Sequence, residues 1–569
     1  MFNSRAKYLN NIFTFVKRAI LAFFVLVLSV LLLLHIFGII NIIPDFLYGN
    51  AIHNKVDNPF IRLLTTTLFF SNVFSIGLLP LFIFEKILKN KCIRIFNNEC
   101  LEIINMTELP KKLPKVLYIY TTHNDFIEAR VLQNMKQSYK NFELWVSDGS
   151  TKLEWRNKIK NFCEQNNINL FQLDEKGSKN KADNLNQFLK NYKGDYDYLL
   201  IGDSDEVFHP NFVEGALKLF YSEKITDLGF VTPFNIPYRS KGIYPNTSRI
   251  LESKSFYGRL YKNFNLSNIP PLAGQSCLIS KKYLLECNQF LAFDNGNLED
   301  WYLESSMVEN LFFGILLPCF PCYYEPDINV KVNFNRIGRV QSWIIRWWKI
   351  RIKKIIWNHT SKYTNWYNSF LIYLFLPIYI FLGIGLLSVL IWVIINWYSY
   401  AFEGNILFWI FVSSLICYFL LYITIDWFYT RYFINNLKDL LIFSLFFIMW
   451  IFVAAIKVTQ FWFKSLIIGK YPDFNGSGSS RFLKMKMKKI NWWIWLIFLS
   501  ILISVFNSLI FNLVNWSNIK WLIIIFNCYF GTFWMGCFSY LALWYINFIP
   551  YNKNFNREDW IDCKDFLIK

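Results

Sequence analysis

Apolar runs long enough to cross a lipid bilayer occur on both sides of the middle of the chain. Residues 19–40 contain no Asp, Glu, Lys or Arg, and Lys17 and Arg18 come directly before them. A second run covers residues 63–84. Four further runs lie later in the chain, at 369–395, 405–425, 491–514 and 521–549. Because a bilayer core about 30 Å thick needs about 20 apolar residues in a helix, each run predicts a membrane span.

Basic residues in the connecting segments orient these spans, since cytoplasmic loops carry an excess of Lys and Arg. The loop 396–404 has neither residue and is predicted to be external, whereas segment 464–490 holds seven. Residues 440–463 are also apolar, but Lys457 and Gln460 interrupt them. A full crossing there would place 464–490 outside. We therefore predict six spans with 440–463 at the membrane interface, and seven spans are the alternative.

Between about residue 100 and residue 335 the pattern changes to short apolar runs that alternate with polar stretches of helical period. Four strands are predicted, at 116–120, 143–147, 169–173 and 198–202. Four helices are predicted, near 126–138, 152–165, 180–192 and 210–222. Strands that alternate with helices favour a mostly parallel sheet with right-handed crossovers. In such an α/β domain ligands bind beyond the carboxyl ends of the strands.

Composition and charge narrow the class of protein. Of 569 residues, 54% are hydrophobic and 17% are charged, and the formal net charge is +19. A soluble domain has about a quarter of its residues charged, so a wholly soluble protein is not expected. The positive charge concentrates beside the spans, which argues against a nucleic-acid-binding protein. Cys319 and Cys322 have no second pair nearby, so buried thiols are expected rather than a zinc site.

Acidic residues follow two of the predicted strands. Asp148 comes after the second strand, Asp203 and Asp205 come after the fourth, and Glu299 and Asp300 open a later segment. Two carboxylates two residues apart on an extended turn can share one hard divalent cation, since Mg²⁺ or Mn²⁺ prefers oxygen ligands. The alternative for such a pair is a solvated turn or a helix cap, which the preceding apolar strand makes less favoured.

Four segments of this domain resemble the motifs of family-2 inverting glycosyltransferases, in that family's order. They are Tyr118 to Ser150, Lys181-Ala182-Asp183-Asn184-Leu185-Asn186, Asp203-Ser204-Asp205 and Glu299-Asp300. With its flanking spans, the chain is similar to the processive membrane polysaccharide synthases, such as cellulose and hyaluronan synthases. The resemblance implies an α/β glycosyltransferase-A-like cytoplasmic domain, inserted in an α-helical polytopic membrane domain with interfacial helices.

The resemblance also implies a role for each matched residue. Asp300 would be the general base, and Asp205 would bind Mg²⁺ or Mn²⁺. The donor, a UDP-sugar, would be bound by Thr121, Asp125, Asp148, Lys181, Asp203 and Arg346. The acceptor would be contacted by Gly274, Gln275, Glu299, Trp343 and Trp347. One base without an enzyme nucleophile implies a single in-line displacement that inverts the anomeric carbon. The alternative role for Asp300 is an acid at a helix terminus, and the alternative for Lys181 is an exposed helix lysine. His209 is expected to be a polar loop histidine, and a third metal ligand is the alternative.

Residues 336–357 combine an apolar stripe at helical spacing with a basic opposite face. This pattern is typical of a helix that lies in the membrane surface. In the synthases the corresponding element carries Gln-x-x-Arg-Trp. Here Arg346 and Trp347 fit, but Trp343 stands in the place of the Gln. Membrane anchoring alone is the alternative role for this helix. The loop 471–489 takes the place of the family's gating loop but lacks its motif.

These predictions give six regions. They are two spans in 1–85, the glycosyltransferase domain in 86–335, an amphipathic interfacial helix in 336–366, two spans in 367–427, an interfacial helix and candidate gating loop in 428–490, and two spans with a cytoplasmic tail in 491–569.

The expected function is synthesis in the cell membrane of a glucan- or galactan-like surface or capsular polysaccharide, with translocation of the product. The alternative is transfer of one sugar to a lipid acceptor, such as polyprenyl phosphate or diacylglycerol. The expected partners are the donor, the growing polysaccharide or lipid, and the bilayer, without nucleic acid. A transporter or channel is disfavoured because the spans carry few charged residues at mid-membrane.

Overall fold

The computed structural model describes most of the segment between residues 91 and 324. The described ranges are 91–174, 181–237, 276–286 and 312–324, together with Gly177, Leu303, residues 87–88 and single residues between 5 and 30. Within these ranges no helix has both the length and the hydropathy of a membrane span. Apart from single residues of the first predicted span between 19 and 30, the predicted spans and the predicted interfacial helix lie outside the described residues, so their boundaries stay predictions.

The described residues contain one sheet of eight strands. In chain order the strands are β1 (Val116–Thr122), β2 (Phe142–Asp148), β3 (Asn169–Gln172), β4 (Tyr198–Asp203), β5 (Glu206–Phe208), β6 (Leu228–Pro237), β7 (Cys277–Ser280) and β8 (Phe313–Tyr324). Their order across the sheet is β3-β2-β1-β4-β7-β6-β8-β5. The first four neighbours are all parallel, whereas β7 is antiparallel to both β4 and β6.

Helices cover both faces of this sheet. Residues 91–106 are helical (α1). The other helices are α2 (Glu128–Asn134), α3 (Leu153–Gln165), α4 (Lys181–Asn191), α5 (Phe212–Phe220) and α6 (Lys281–Glu286). Buried residues of α1, α2, α3 and α5 join the hydrophobic cluster on one face, and those of α4 and α6 join the cluster on the other.

The central strand β1 begins with a continuous apolar run, and the packing on its two faces explains this pattern. Tyr118 and Tyr120 point into the cluster that includes α3, while Leu117 and Ile119 point into the cluster that includes α4. All seven residues of β1 are buried. A strand covered by helices on both faces needs apolar residues at every position, and not only at alternate ones.

The sequence-based prediction of an α/β fold is confirmed, and each predicted strand and helix is present near its predicted bounds. The prediction of a mostly parallel sheet holds for β1 to β4. The second half of the sheet is mixed, because β7 enters antiparallel between β4 and β6. The sheet class therefore agrees with a glycosyltransferase-A-like domain at the level of the α/β architecture.

The strand register places the predicted acidic residues at one edge. Thr121 of β1 lies opposite Asp203 of β4, and Thr122 lies opposite Asp148 of β2. Asp148 and Asp203 thus end the two strands that flank β1. With neighbouring strands about 4.8 Å apart, their backbones are about 10 Å apart at the carboxyl edge of the sheet.

Candidate active site

The turn between β4 and β5, residues 203–206 (the β4–β5 turn), carries three acids. Asp203 and Asp205 are partly exposed, whereas Glu206 is buried. The Glu206 carboxylate accepts a hydrogen bond of 2.9 Å from the backbone N–H of Asp203. Glu206 therefore closes the turn from inside, and the two aspartates remain at its outer side.

An ion pair joins this turn to the start of α4. Lys181 Nζ lies 2.5 Å from Asp203 Oδ1, and both side chains are partly exposed to solvent. The Thr121 hydroxyl lies 3.2 Å from the same Asp203 oxygen. Three residues that the resemblance assigns to donor binding, Thr121, Lys181 and Asp203, are thus in direct contact.

The surroundings of Glu206 change its pKa. Burial raises the pKa of Glu206 to about 8, and the charges of Asp203 and Asp205 act in the same direction. Lys181 lowers it in part. Carboxylate oxygens are the donors that Mg²⁺ and Mn²⁺ prefer, so Asp203 and Asp205 fit a divalent cation. Among the described residues no cluster of three or more His, Cys, Asp or Glu side chains has the arrangement of a metal site.

Asp148 is held differently from the acids of the turn. It is fully buried, and both of its carboxylate oxygens accept hydrogen bonds of 2.8 Å. One comes from the backbone N–H of Ser150, and the other comes from the side-chain amide of Gln172 at the end of β3. The carboxylate therefore ties β2, its following loop and β3 together. Its predicted contact with the nucleotide stays a prediction.

The loops that follow β1 and β2 are joined by hydrogen bonds. Asp125 accepts bonds from the Thr122 hydroxyl at 3.0 Å and from the His123 N–H at 2.8 Å. Asn124 has a positive φ of 57°, and its N–H donates to the Ser150 hydroxyl at 2.8 Å. Asn is one of the few residues that adopt this conformation readily. The predicted donor residue Asp125 thus orders the first loop at the same edge.

Sequence reasoning missed the residues that support this edge. Arg156 of α3 donates to the backbone carbonyls of Ser150, Leu173 and Asp174, and so joins the loops after β2 and β3. Gln172 holds one oxygen of Asp148. Both residues lie in segments whose pattern predicted only a helix or a strand, and neither has a motif that would have revealed its partner.

His209 and the cysteine pair have local structural partners. The His209 ring stacks on Phe320 with centroids 5.2 Å apart, and its Nδ1 accepts a hydrogen bond from the Asn211 N–H. Burial lowers the pKa of His209. Cys322 is buried and accepts a bond from the Ser276 hydroxyl, and Cys319 is partly exposed. Both thiols are free of disulfides.

Seven predicted site residues lie outside the described residues. They are the proposed base Asp300, the donor residue Arg346, and the acceptor residues Gly274, Gln275, Glu299, Trp343 and Trp347. Their roles stay predictions. The structure therefore brings together Thr121, Lys181 and Asp203, with Asp205 in the same turn. Asp125 lies in the loop after β1, and Asp148 is the last residue of β2.

A comparison with protein families decides the identity of this domain. Residues 117–287 match the sequence model of "Glycosyl transferase family 2". The segment carries a family-2 glycosyltransferase domain. The match includes β1 to β4, the β4–β5 turn and α4. The sequence-based prediction of a family-2 glycosyltransferase is therefore confirmed for this segment.

A curated relative is the UDP-forming cellulose synthase catalytic subunit of Dictyostelium discoideum. It is 28% identical over 156 residues, which cover 26% of this chain and 13% of that protein. The glycosyltransferase domain thus shares with this relative only a small part of the relative's length.

Two solved structures also overlap with the chain. GalNAc-T7 with UDP, GalNAc and Mn²⁺ has a TM-score of 0.29 at 14% identity, covering 38% of this chain and 44% of that one. A fragment of TarS from S. aureus in complex with UDP-GlcNAc has a TM-score of 0.27 at 17% identity, covering 37% and 58%. Overlaps this limited carry no argument about the ligands of the glycosyltransferase domain.

Proposed function

We propose that the protein is a membrane-embedded inverting glycosyltransferase that polymerises sugar from a UDP-sugar into a surface polysaccharide and translocates the product. The observation that supports it best is the carboxyl edge of the sheet. There, Asp203, in contact with Lys181 and Thr121, lies beside Asp205, inside the segment that matches the glycosyltransferase family. The curated relative forms UDP, as its name states, which favours UDP as the carrier.

Each group at this edge has a separate task in the proposed reaction. Lys181 holds Asp203 and offers its positive charge to the diphosphate of the donor. Asp203 and Asp205 would hold a divalent cation, which when bound would offset negative charge on the leaving diphosphate. The buried carboxylate of Glu206 fixes the backbone that carries both aspartates.

The proposed reaction is a single displacement at the anomeric carbon. The acceptor hydroxyl oxygen forms a bond to that carbon, the bond from carbon to the diphosphate oxygen breaks, and UDP leaves with the electron pair. The hydroxyl proton passes to the Asp300 carboxylate. A positioned general base contributes about 10²–10⁴-fold to such a step.

The location of the protein is part of the same proposal. Six apolar runs and basic connecting segments support a multi-pass protein of the cell membrane whose catalytic domain lies in the cytoplasm. UDP-sugars would then reach the domain from the cytoplasm, and the amphipathic segment 336–357 would lie between the domain and the lipid.

Product size tests this function. Membranes that contain the full-length protein are incubated with one UDP-sugar at a time and with Mg²⁺ or Mn²⁺, and the product is sized. We expect a polymer built from one of the sugars. A glycolipid with a single added sugar would instead support transfer to a lipid acceptor, and the absence of any sugar transfer would contradict both reactions.

The Asp300→Asn variant tests the proposed base. It is expected to lower turnover by about 10²-fold or more, because the acceptor hydroxyl loses its proton acceptor, while UDP binding stays within about 2-fold of wild type. Glu286→Gln, at an exposed acid at the end of α6, is the matched control. Wild-type turnover in Asp300→Asn would remove Asp300 from the mechanism.

A further inference from the structure

Two wholly buried side chains hold the backbone of the β4–β5 turn from beneath. The Tyr120 hydroxyl donates a hydrogen bond of 2.6 Å to the backbone carbonyl of Ser204. The Asn134 amide donates to the carbonyl of Glu206 at 2.9 Å and accepts from the N–H of Phe208 at 2.9 Å. Neither Tyr120 nor Asn134 is exposed to solvent.

The bond from Tyr120 has a direct effect on the acid that follows. The carbonyl of Ser204 belongs to the peptide group that joins Ser204 to Asp205. The orientation of this peptide group therefore sets the direction in which the Asp205 side chain leaves its Cα atom. A buried carbonyl that loses its partner leaves an unsatisfied acceptor, so the peptide group keeps this orientation while the hydroxyl is present. Groups that bind a ligand must be held to within about 0.5 Å of their working geometry.

Tyr118 provides an internal comparison. It lies two residues earlier on β1, points to the same face, and is equally buried. The two rings pack edge to face with centroids 6.5 Å apart. The Tyr118 hydroxyl, however, has no hydrogen-bond partner among the residues that the structure describes. The two tyrosines thus share packing and differ in the bond to the turn.

We propose that Tyr120 is a positioning residue for donor binding, which orients Asp205 toward a cation-bound diphosphate through the carbonyl of Ser204. This inference rests on the proposed function, since it assigns a task to the same turn. Asn134 has the corresponding task at the start of β5, where it fixes the peptide groups on both sides of Val207. Both residues are buried, so each would act through the backbone of the turn.

The test compares Tyr120→Phe with Tyr118→Phe in the full-length protein in detergent. Mn²⁺ is titrated in the presence of UDP, free Mn²⁺ is followed by electron paramagnetic resonance, and thermal unfolding is measured beside it. Loss of a residue that orients a metal ligand lowers metal affinity by about 10–100-fold. We expect Tyr120→Phe to raise the Kd for Mn²⁺ by about 10-fold and Tyr118→Phe to change it by less than about 2-fold. The KM for Mn²⁺ should rise in Tyr120→Phe, while kcat at saturating Mn²⁺ falls much less.

Several results would overturn the inference. Wild-type Mn²⁺ affinity in Tyr120→Phe would do so, as would an equal loss of affinity in Tyr118→Phe. If Tyr120→Phe does not fold, Asn134→Asp, which keeps the acceptor for Phe208 and loses the donor to Glu206, replaces it. A raised Kd is again expected, and wild-type affinity again contradicts the inference. If wild-type protein binds neither Mn²⁺ nor UDP, the proposed function fails as well.

Discussion

Acidic residues lie at the ends of β2 and β4, the two strands that flank β1, and their carboxylates have different surroundings. At the end of β2, Asp148 is fully buried and accepts bonds from Ser150 and Gln172. In the β4–β5 turn, Asp203 and Asp205 are partly exposed, Asp203 pairs with Lys181, and buried groups bond the backbone of the turn. The same residue type is therefore buried within the loops at the end of β2 and lies partly exposed at the end of β4.

The difference follows from what each carboxylate would lose on binding a ligand. A donor that approached Asp148 would have to replace two hydrogen bonds that already hold the edge together. A cation that approached Asp205 would add positive charge beside the two aspartates of the turn, which have one lysine near them. This difference is why we propose that the cation and the diphosphate bind at the β4–β5 turn.

The largest expected effect comes from Asp205→Asn. Loss of this carboxylate removes a proposed cation ligand, so turnover with the UDP-sugar should fall by about 100-fold or more. The unfolding midpoint should stay near that of wild type, because Asp205 is partly exposed. Turnover is measured by UDP release from membranes. Asp195→Asn, at an exposed acid paired with Lys281 far from this edge, is the matched control. Equal turnover in Asp205→Asn and its control would break the comparison between the two regions.

Lys181→Met should have an intermediate effect. The change removes the ion pair with Asp203 and a positive charge from the proposed diphosphate site. A charge-assisted hydrogen bond contributes about 1.5–3 kcal/mol, so the KM for the UDP-sugar should rise by about 10-fold or more. Lys190→Met, at an exposed lysine in the last turn of the same helix, should leave the KM unchanged. The prediction fails if both variants have the wild-type KM.

Asp148→Asn is expected to act first on stability. The Ser150 N–H and the Gln172 side-chain amide both donate to Asp148. The NH₂ group of an asparagine at this position would face one of these donors and lose that hydrogen bond. The free energy of unfolding should fall by about 1–3 kcal/mol. Asp227→Asn, at an exposed position whose φ of 58° Asn tolerates, should change stability by less than about 0.5 kcal/mol. Chemical denaturation measures both. An undiminished stability of Asp148→Asn would contradict the structural role of this carboxylate.

The placement of Asp148 and Asp203 at one edge of the sheet could be predicted from the sequence. Apolar runs that end in Asp148 and Asp203, separated by helical stretches, predict parallel strands, and parallel strands bring their carboxyl ends to one edge. The register across β1 confirms that placement. The motif that begins with Lys181 predicted a contact with the nucleotide, and this contact stays a prediction. The structure pairs Lys181 with Asp203.

The different surroundings of the two regions could not be predicted from the pattern. Asp148 is saturated by Gln172, which lies 24 residues away, and the β4–β5 turn is held by Tyr120, which lies 84 residues from Ser204. In the sequence, Gln172 and Tyr120 appear as ordinary strand residues. Such partners are set by strand order and register, which local periodicity does not encode.

Hydrogen–deuterium exchange of the full-length protein, with and without UDP and Mn²⁺, tests the central claim most directly, because it locates the bound nucleotide on the sheet. We predict slower amide exchange in peptides that cover residues 121–125, 148–152 and 203–206, at the carboxyl ends of β1, β2 and β4. Peptides that cover 192–197, before the start of β4, should not change. Protection at 192–197 without protection at 203–206, or no protection at all under saturating ligand, would contradict a nucleotide site at the carboxyl edge.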